Sequence, residues 1–312
     1  MSLGDKQCSA GEPLRILVTG GSGLIGRALL PELCRCGCRV TRLVHGTNVG
    51  PGDVPWNTRA GGLEFPAGAT FDAVIHLAGE NVAAGRWTDR RRALIRDSRV
   101  VGTRNLVAAL GRLPSPPRVF VSASAIGYYG DRGEEALPES AEPGAGFLAE
   151  TCVAWEREAA VAATAFGARV VLGRLGVVLS GEGGALMKML PIFKTGLGGP
   201  LAGGRQWMSW VAAPDLVAML VAAVLEPRWR GPVNWVSPGA VTNAAFTAAL
   251  AQVLGRPAFM PVPRWVLRAS FGQMADEALL ASTRVVPQVL TRENFAFAHP
   301  QLEPALRAVL GR

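Results

Sequence analysis

Three glycines spaced three residues apart have the residue type and the spacing that bind a diphosphate group. They are Gly20, Gly23 and Gly26, in the segment TGGSGLIG. Glycine at the first position permits a tight turn, at the second it lets the backbone approach a pyrophosphate, and at the third it lets a helix pack closely on a strand. The first N–H groups of that helix then point at the anion. This pattern predicts a dinucleotide-binding loop, and an ordinary strand-to-helix turn is the alternative.

The residues on both sides of the glycines form the elements that such a loop requires. Leu14 to Val18 is a short apolar run typical of a buried strand, and the apolar residues after the loop recur with the period of a helix. A strand before the loop and a helix after it give the glycine pattern its specificity. The segment supplies eight predicted cofactor-binding residues: Thr19, Gly20, Gly21, Ser22, Gly23, Leu24, Ile25 and Gly26.

The end of the next strand bears on which dinucleotide is bound. The strand CRVTRLV ends at Val44 and is followed by His45, with Arg42 shortly before. An Asp or Glu about 20 residues past the glycines usually binds a free ribose 2′-hydroxyl, and a carboxylate there would repel a 2′-phosphate. Since no acidic residue stands at this strand end, we predict NADP(H) rather than NAD(H). An exposed strand-end position is the alternative interpretation of His45.

A third strand is also followed by small residues. In FDAVIHLAGEN an apolar run from Ala73 to Leu77 precedes Ala78 and Gly79. Small side chains there would let the ribose and the nicotinamide lie across the strand end. We interpret His76, inside the apolar run, as a packed strand residue rather than a ligand.

The alternation of strands and helices predicts the fold class. A helix from about Asp89 to Leu110 separates the third strand from RVFVSASAIGYYG, and ARVVLGRLGVVLS and GPVNWVS supply later strands, the last near the sheet edge. Strand–helix–strand units with right-handed crossovers form an α/β fold with a doubly wound parallel sheet. From about Val241 the chain becomes mostly helical, which predicts a smaller lobe. The segment GTNVGPGDVPWNTRAGG predicts a surface excursion.

Composition and charge limit the classes of function. The chain has 312 residues, 49% of them hydrophobic, which suits one large core with a small second lobe. The net charge is +8, but the densest basic run, RWTDRRRALIRDSR, is interrupted by Asp89 and Asp97 and is typical of a solvated helix face. We therefore predict no nucleic-acid partner.

Metal, membrane and export signals are weak in this sequence. Cys34, Cys36 and Cys38 have no second cysteine pair to complete a metal site, so we predict no metal. The first residues lack the apolar core of a signal peptide, and no apolar run reaches the ~20 residues that span a bilayer. We predict no membrane association and a cytoplasmic location, with an organellar stroma or matrix as the alternative.

Together these motifs resemble the extended short-chain dehydrogenase/reductase superfamily, in its epimerase/dehydratase branch. The narrower resemblance is to atypical nucleotide-sugar-epimerase-like proteins with a distinctive C-terminal segment, and it runs from Leu14 to about Leu310. It depends on the motifs TGGSGLIG, VIHLAGEN, RW followed by SRVVGT, VSASAIGYYG, GRLGVVLSGEGGAL, GLGGPLAGGRQWMSW followed by PDL, and LGRPAFMPVPRWVLR.

The resemblance implies a Rossmann-like fold that binds NADP(H) in its first domain and acts on an unidentified small molecule. The predicted cofactor site then adds Arg42 and Gly79 from the strand ends and, implied by the resemblance, Val44, His45, Leu77, Ala78 and Arg99. We predict an N-terminal tail at 1–13, an NADP-binding domain at 14–180 and 205–240, and a smaller, mostly helical, substrate-side lobe at 181–204 and 241–312.

The catalytic pair of that superfamily is missing. There a tyrosine exchanges a proton with the substrate oxygen, and a lysine four residues later lowers the tyrosine pKa. The segment GAGFLAETCVAW has Phe147 and Thr151 in one register and Leu148 and Cys152 in the other. Phenylalanine and leucine transfer no proton, and neither threonine nor cysteine carries the positive charge.

The two tyrosines of the chain offer a substitute. Tyr128 and Tyr129 follow the fourth strand, near Ser124. In the functional interpretation one tyrosine is the acid and Ser124 lies beside it at the substrate. In the alternative the tyrosines are pocket-wall aromatics whose hydroxyls find a partner. Ser124, Tyr128 and Tyr129 are therefore the candidate catalytic residues.

Two functions compete at this point. The first is an NADP(H)-dependent oxidoreductase of the epimerase family with a non-standard proton donor, and the second is a non-catalytic NADP(H)-dependent sensor or scaffold. The glycine-rich segment around Lys188, Lys194, Arg205 and Gln206 is expected to face the substrate or to be a structural excursion. The sequence leaves open whether the protein is a monomer or a homodimer.

Overall fold

The structure, a computed structural model, describes residues 12–45, 49–57 and 62–312. Its strands are β1 (Arg15–Thr19), β2 (Arg39–Val44), β3 (Val54–Pro55), β4 (Ala73–His76), β5 (Val119–Ala125), β6 (Ala136–Leu137), β7 (Arg169–Leu175), β8 (Val177–Leu179), β9 (Trp207–Met208), β10 (Trp210–Ala212), β11 (Gly231–Trp235), β12 (Val241–Thr242) and β13 (Arg284–Val285). Its α-helices are α1 (Leu24–Arg35), α2 (Asp89–Gly111), α3 (Phe147–Phe166), α4 (Gly184–Lys194), α5 (Ala213–Leu225), α6 (Asn243–Leu254), α7 (Arg264–Phe271), α8 (Gln288–Arg292) and α9 (Leu302–Leu310). A 3-10 turn spans Ile126–Tyr129 and a π-helical turn spans Ala275–Leu279.

Seven of these strands form one parallel sheet in the order β11-β7-β5-β4-β1-β2-β3. The strand order reverses beside β1, so the carboxyl ends of β1 and β4 flank a crevice that typically binds a ligand in open α/β sheets. The predicted α/β, doubly wound parallel sheet is confirmed. The predicted strand GPVNWVS is the edge strand β11, as expected.

Two helical layers cover the sheet because the strand residues alternate between its faces. Along β1, Ile16 and Val18 pack in the core that includes α1 and α5, whereas Leu17 packs in the core that includes α2 and α3. All three side chains are buried. Both faces of β1 are therefore apolar, and the glycine loop after it starts from a fixed strand.

A third core forms between α4, α6 and α9. Leu186, Phe246 and Leu306 belong to it, and so do Trp210 and Ala212 of β10. Those two β10 residues lie in the range that the predicted division assigns to the first domain. The smaller lobe is therefore built on residues from both predicted units, and the boundary itself stays a prediction.

Two segments differ in detail from their expected roles. The predicted excursion at 46–62 contributes the edge strand β3 and the buried Trp56, while 46–48 and 58–61 lie outside the described residues. In the C-terminal part predicted to form the smaller lobe, Phe259 and Trp265 are exposed, each by 72%, while Leu267 is buried. Pro55 is tolerated in β3 because β3 is an edge strand, whose outer side forms no hydrogen bonds with another strand.

In the described ranges no helix has the length and apolar character needed to cross a membrane.

One glycine of the sheet fits only because it has no side chain. A Cβ atom on Gly173 of β7 would overlap the ring of Trp235, which is fully buried on the neighbouring strand β11. We expect Gly173→Ala to lower the free energy of unfolding by about 1–3 kcal/mol, since the core is overpacked. Chemical denaturation measures this, and Gly111→Ala is the matched control because its Cβ would meet only Phe166 at 3.5 Å. Equal stability of the two variants would contradict the expectation.

Candidate functional site

The glycine loop after β1 forms a cradle for an anion. Gly20 has a φ of 71°, and a Cβ there would lie 2.7 Å from the Leu77 carbonyl carbon. A Cβ on Gly26 would lie 2.6 Å from the Gly21 Cα, so α1 could not approach the loop. Helix α1 is capped by Gly23, with no side chain accepting from its first turn. Its free N–H groups and positive dipole end are therefore available to a phosphate.

The hydroxyl of Thr19 fixes the two strand ends that flank this cradle. Thr19 Oγ1 accepts hydrogen bonds from the N–H groups of Leu77 and Ala78, both at 3.1 Å. It is also 2.7 Å from His76 Nδ1, and His76 Nε2 is 2.9 Å from the Thr103 hydroxyl. Because Thr19 already accepts two bonds, its proton goes to Nδ1, and His76 donates from Nε2. His76 is fully buried, as predicted for a packed strand residue, and burial lowers its pKa to about 3.

A cleft of about 310 Å³ lies along the cradle and is lined by residues 20–23, 42–45, 56, 77–81 and 98. It gathers most of the predicted cofactor residues, and the predicted Leu24, Ile25 and Gly26 form the first turn of α1 at its end. The sequence analysis did not name Leu43, Trp56, Glu80, Asn81 and Ser98. Glu80 and Asn81 continue the same loop as Gly79, so the motif VIHLAGEN could have indicated them. We call this space the cofactor cleft.

An ion pair occupies the end of the cleft where a cofactor 2′-phosphate is expected. Arg42 Nε donates to Asp53 Oδ1 at 2.7 Å and Arg42 Nη2 to Asp53 Oδ2 at 2.5 Å. Asp53 also accepts from Gly50 N–H, and the Arg42 hydrogen bond lowers the pKa of this carboxyl. His45 is exposed, with its Nδ1 3.2 Å from the Trp56 carbonyl oxygen. A carboxylate is therefore present near β2, although it comes from a later segment than the usual strand-end position.

Arg99 places a positive charge behind the cleft. Its Nη1 donates to the carbonyl oxygens of Glu80 at 3.0 Å and Ile95 at 3.1 Å. The guanidinium lies 5.2 Å from the centre of the Trp155 ring on α3, and a Cβ on Gly79 would lie 3.1 Å from its central carbon. Desolvation lowers the pKa of Arg99. The residue holds the loop after β4 against α2 rather than facing the cleft directly.

The residues in the place of the missing catalytic pair are packed, and none of them carries the positive charge of the missing lysine. Phe147 lies edge-on to Trp87, with ring centres 5.2 Å apart, and Leu148 lies beside Gly127. Thr151 is buried, and its hydroxyl has no hydrogen-bond partner within the described ranges. Burial raises the pKa of the Cys152 thiol to about 11, so this cysteine is protonated and a poor nucleophile.

Two of the three candidate catalytic residues belong to one buried polar network. Ser124 Oγ donates to Glu156 Oε1 at 2.7 Å, and Arg174 binds Glu156 through two hydrogen bonds of 2.9 Å. Arg174 Nη1 also donates to the Tyr129 hydroxyl at 2.9 Å, and that hydroxyl donates to Asn234 Oδ1 at 2.7 Å. The protons of Ser124 and Tyr129 are thus committed to internal acceptors. Burial raises the pKa of Tyr129 to about 12.

Tyr128 differs from these two residues because its side chain is only half-buried. The central carbon of Arg174 lies 3.4 Å from the centre of the Tyr128 ring, which is a close cation–π contact. Burial raises the pKa of Tyr128, and the Arg174 charge opposes that shift. The catalytic roles of Ser124, Tyr128 and Tyr129 stay predictions; none of the three lines the cofactor cleft, and Tyr128 is the one that is not buried.

A second space, which we call the apolar cavity, lies between the carboxyl ends of β5 and β7 and the smaller lobe. Its volume is about 240 Å³, and its lining residues are 126, 127, 130, 148, 176, 177, 179, 185, 186, 189, 201, 207–209, 243, 246, 277–279, 281 and 283. The glycine-rich segment predicted to face the substrate contributes α4 to this wall. Within that segment Lys188 Nζ donates to the Ala83 carbonyl oxygen at 2.8 Å, Gln206 Nε2 donates to the Leu201 carbonyl oxygen at 3.2 Å, and Lys194 and Arg205 are exposed.

Comparison with known proteins adds independent evidence. Residues 16–234 match the NAD dependent epimerase/dehydratase family, and residues 262–309 match a domain of unknown function, DUF1731. The Mycobacterium bovis protein named Epimerase family protein Mb2239 is 40% identical over 291 residues, which cover 93% of this chain and 96% of that protein. The resemblance inferred from the motifs is therefore confirmed.

Solved structures agree with this assignment. The crystal structure of human epimerase family protein SDR39U1 (isoform 2) with NADPH has a TM-score of 0.86 at 31% identity, covering 96% of this chain and 100% of that chain. A Corynebacterium glutamicum nucleoside-diphosphate sugar epimerase has a TM-score of 0.79 at 34% identity, covering 96% of this chain and 58% of that chain. The predicted nicotinamide dinucleotide cofactor agrees with the family description and with the human structure.

The buried network and a surface ion pair allow a matched test on one helix. Arg174 pairs with the buried Glu156, whereas Arg104 pairs with Glu158 at the surface of the same helix α3. We expect Arg174→Met to cost about 3–5 kcal/mol of unfolding free energy, because it leaves a buried carboxylate without its partner. Arg104→Met should cost about 1 kcal/mol or less. Denaturant unfolding measures both, and similar losses would refute the importance of the buried pair.

The buried His76 makes stability depend on pH in the acid range. Its pKa is about 3 in the folded protein and 6.5 when exposed, so only the unfolded chain takes up a proton between these values. Its contribution to stability is therefore lost as pH falls from 6.5 towards 3, by at most about 1.4 kcal/mol per pH unit. We expect unfolding curves at pH 6 and pH 5 to differ less in His76→Gln than in wild type. His45→Gln, which removes an exposed ring, is the control and should keep the wild-type difference.

Proposed function

The chain belongs to the NAD dependent epimerase/dehydratase family, and from that premise we propose that it binds NADP(H) and is an oxidoreductase acting on a small molecule. The observation that carries the proposal is the cradle of Gly20, Gly23 and Gly26, where an added Cβ would meet the backbone that shapes the loop and its neighbouring strand end. When bound, NADP(H) supplies or accepts a hydride. The residues of the chain bind the cofactor, exclude water and donate or accept the proton.

We assign one part of the dinucleotide to each segment that lines the cofactor cleft. The loop at 20–26 would hold the pyrophosphate, and Leu77, Ala78 and Gly79 would lie under the ribose and the nicotinamide. Thr19 and His76 keep this second segment in place through the hydrogen bonds from Leu77 and Ala78. Arg99 supports the same loop from behind through the carbonyl oxygen of Glu80.

NADP(H) is favoured over NAD(H) by the charges at the end of β2. Arg42 and His45 line the cleft, and no carboxylate occupies the strand end itself. The human relative crystallised with NADPH supports the same choice. Asp53 holds the Arg42 guanidinium through two hydrogen bonds. These bonds fix the position from which Arg42 would contact a 2′-phosphate.

The proton of the reaction must come from a group other than the superfamily's tyrosine–lysine pair. Of the three candidates we retain Tyr128 as the proton donor, because it is the only one whose side chain reaches solvent. Ser124 and Tyr129 are positioning residues in this proposal, since they act through Glu156 and Arg174. The Arg174 guanidinium on the Tyr128 ring takes the place of the missing lysine as the nearby positive charge.

The second function, a non-catalytic NADP(H)-dependent sensor or scaffold, is favoured by a different observation. Phe147, Leu148, Thr151 and Cys152 fill the place of the catalytic pair with packed side chains, none of which carries a positive charge, and the thiol of Cys152 is protonated. A small-molecule partner remains part of both functions. Among the residues that the structure describes, Cys34 and Cys152 are free thiols, which supports a reducing location such as the cytoplasm or an organellar stroma or matrix.

Cofactor titration and turnover separate the two functions. We expect NADPH to bind the wild-type chain, and Gly26→Ala to weaken binding by about tenfold or more because its Cβ would meet the loop backbone. Gly111→Ala should bind as wild type does. NADPH fluorescence measures both, and absence of binding to the wild type would overturn the proposal.

Turnover is then measured as NADPH oxidation with a panel of ketones and aldehydes. We expect Tyr128→Phe to lower kcat by about 100-fold or more while NADPH affinity stays unchanged, as for loss of a general acid. Turnover that is unchanged in Tyr128→Phe would refute Tyr128 as the donor. Full NADPH binding without turnover on any carbonyl would support the sensor or scaffold.

A further inference from the structure

We propose that the apolar cavity binds compact, uncharged, mostly apolar ketones or alcohols, and that the hydroxyl of Thr283 hydrogen-bonds their single polar oxygen. This inference rests on the proposed binding of NADP(H), because the cavity would be the substrate side of the same site; it does not depend on Tyr128, which does not line the cavity. It names the class of substrate, which neither the family nor the relatives determine.

The cavity lies next to the cofactor cleft. It begins at Ile126 and Gly127 after β5, and β5 is the immediate neighbour of β4, whose end lines the cleft. Its other wall is α4, and the loop before α4 contacts the first residue of α1, since a Cβ on Gly183 would lie 3.2 Å from Leu24 Cδ1. A molecule in the cavity would therefore lie beside the nicotinamide end of the cleft.

The walls of the cavity are apolar and carry no positive charge. Side chains from both lobes line it, among them Leu148, Val177, Leu186, Met189 and Phe246. Within the described part of the chain, no lysine, arginine or histidine belongs to its lining. A diphosphate or carboxylate would lose its hydration there without gaining a cationic partner, and such a transfer is strongly unfavourable.

Two polar side chains of the lining are already satisfied by the protein. Ser209 donates to the Thr283 carbonyl oxygen at 2.8 Å and accepts from the Val285 N–H at 2.9 Å. Asn243 accepts from the Leu201 N–H at 2.7 Å and donates to the Met208 sulfur at 3.3 Å. Neither has to find a partner in a ligand, so neither points to a highly polar substrate.

Thr283 is different, because its hydroxyl has no partner. The residue is only 8% exposed and lines the cavity, and among the residues that the structure describes none forms a hydrogen bond with Thr283 Oγ1. A ligand oxygen in the cavity would give this hydroxyl a partner. A hydroxyl within apolar walls matches a molecule with one carbonyl or hydroxyl group.

Glu277 is the one ionisable side chain among the described residues that line the cavity. Its Oε2 accepts from the Leu148 N–H at 2.8 Å and its Oε1 from Gln273 Nε2 at 2.6 Å. These bonds hold a negative charge at the wall, and that charge repels anions. Glu277 therefore selects against anionic compounds, while Thr283 recognises the neutral oxygen.

Three ligands of nearly equal shape test this assignment on the full chain saturated with NADP⁺, with which a bound ketone is not reduced. They are cyclohexyl methyl ketone, its hydrocarbon counterpart isopropenylcyclohexane, and the anion cyclohexanecarboxylate. Calorimetric titration should show the ketone binding more tightly than the anion, and Glu277→Gln should narrow that difference. UDP-glucose should not compete with the ketone. Tighter binding of the anion, or competition by UDP-glucose, would overturn the substrate class.

Variants of Thr283 test the hydrogen bond itself. Thr283→Val keeps the shape of the side chain, and it should weaken ketone binding by about five- to tenfold, as expected for one hydrogen bond, without affecting the hydrocarbon. Thr283→Ser should restore ketone binding. Equal weakening of ketone and hydrocarbon in Thr283→Val would show a packing role and overturn the proposed recognition.

The location is tested on α4, where Ala185 lines the cavity and the exposed Met187 does not. Ala185→Trp should abolish ketone binding, and Met187→Trp should leave it unchanged. Equal ketone binding in both variants would place the ligand elsewhere and overturn the inference. NADPH binding without ketone binding would overturn the inference but leave the proposed function standing, and loss of NADPH binding in the wild type would remove the proposed function itself.

Discussion

The buried ion pair between Arg174 and Glu156 holds the candidate catalytic end of the sheet together. It joins β7 to α3, and it reaches β5 through Ser124 and β11 through Tyr129 and Asn234. Charges this deeply buried are stable only when each has a partner and further hydrogen bonds. The network meets that requirement at every member named here. This network constrains its own residues, since none of them can turn towards a substrate without leaving another buried polar group without its hydrogen bond.

This constraint changes how the tyrosines after β5 are understood. Tyr129 supplies an acceptor and a donor inside the network, so its hydroxyl stabilises the fold. The ring of Tyr128 lies against the Arg174 guanidinium, and its side chain is only half-buried. Two adjacent residues of the same type thus have different freedom. The difference arises from packing, and the sequence alone does not distinguish Tyr128 from Tyr129.

The fold and the cofactor cleft were predictable because their signals are local. The glycine loop, the strand before it and the helix after it lie within about 20 consecutive residues, and the apolar periods of the other elements are equally short-range. The Arg42–Asp53 pair was not predictable, because its carboxylate comes from an excursion whose path the sequence pattern leaves undetermined. The Arg174–Glu156 pair was not predictable either, because the sequence shows Arg174 only as one residue of an apolar strand, and Glu156 lies on a different element, α3. The unpaired hydroxyl of Thr283 depends on how two lobes meet, which no periodicity describes.

One long-range contact joins the two parts of the chain that match separate families. Helix α3 has no cap of its own, since Gly146 provides no side chain, and the N–H of Leu148 is capped by Glu277 from 129 residues further along. An uncapped helix end leaves polar groups to be solvated, and here the end lies against other residues. Glu277 lies in the region of unknown function at 262–309, so this region caps a helix of the region at 16–234. The geometry of this site therefore depends on residues from both matched regions.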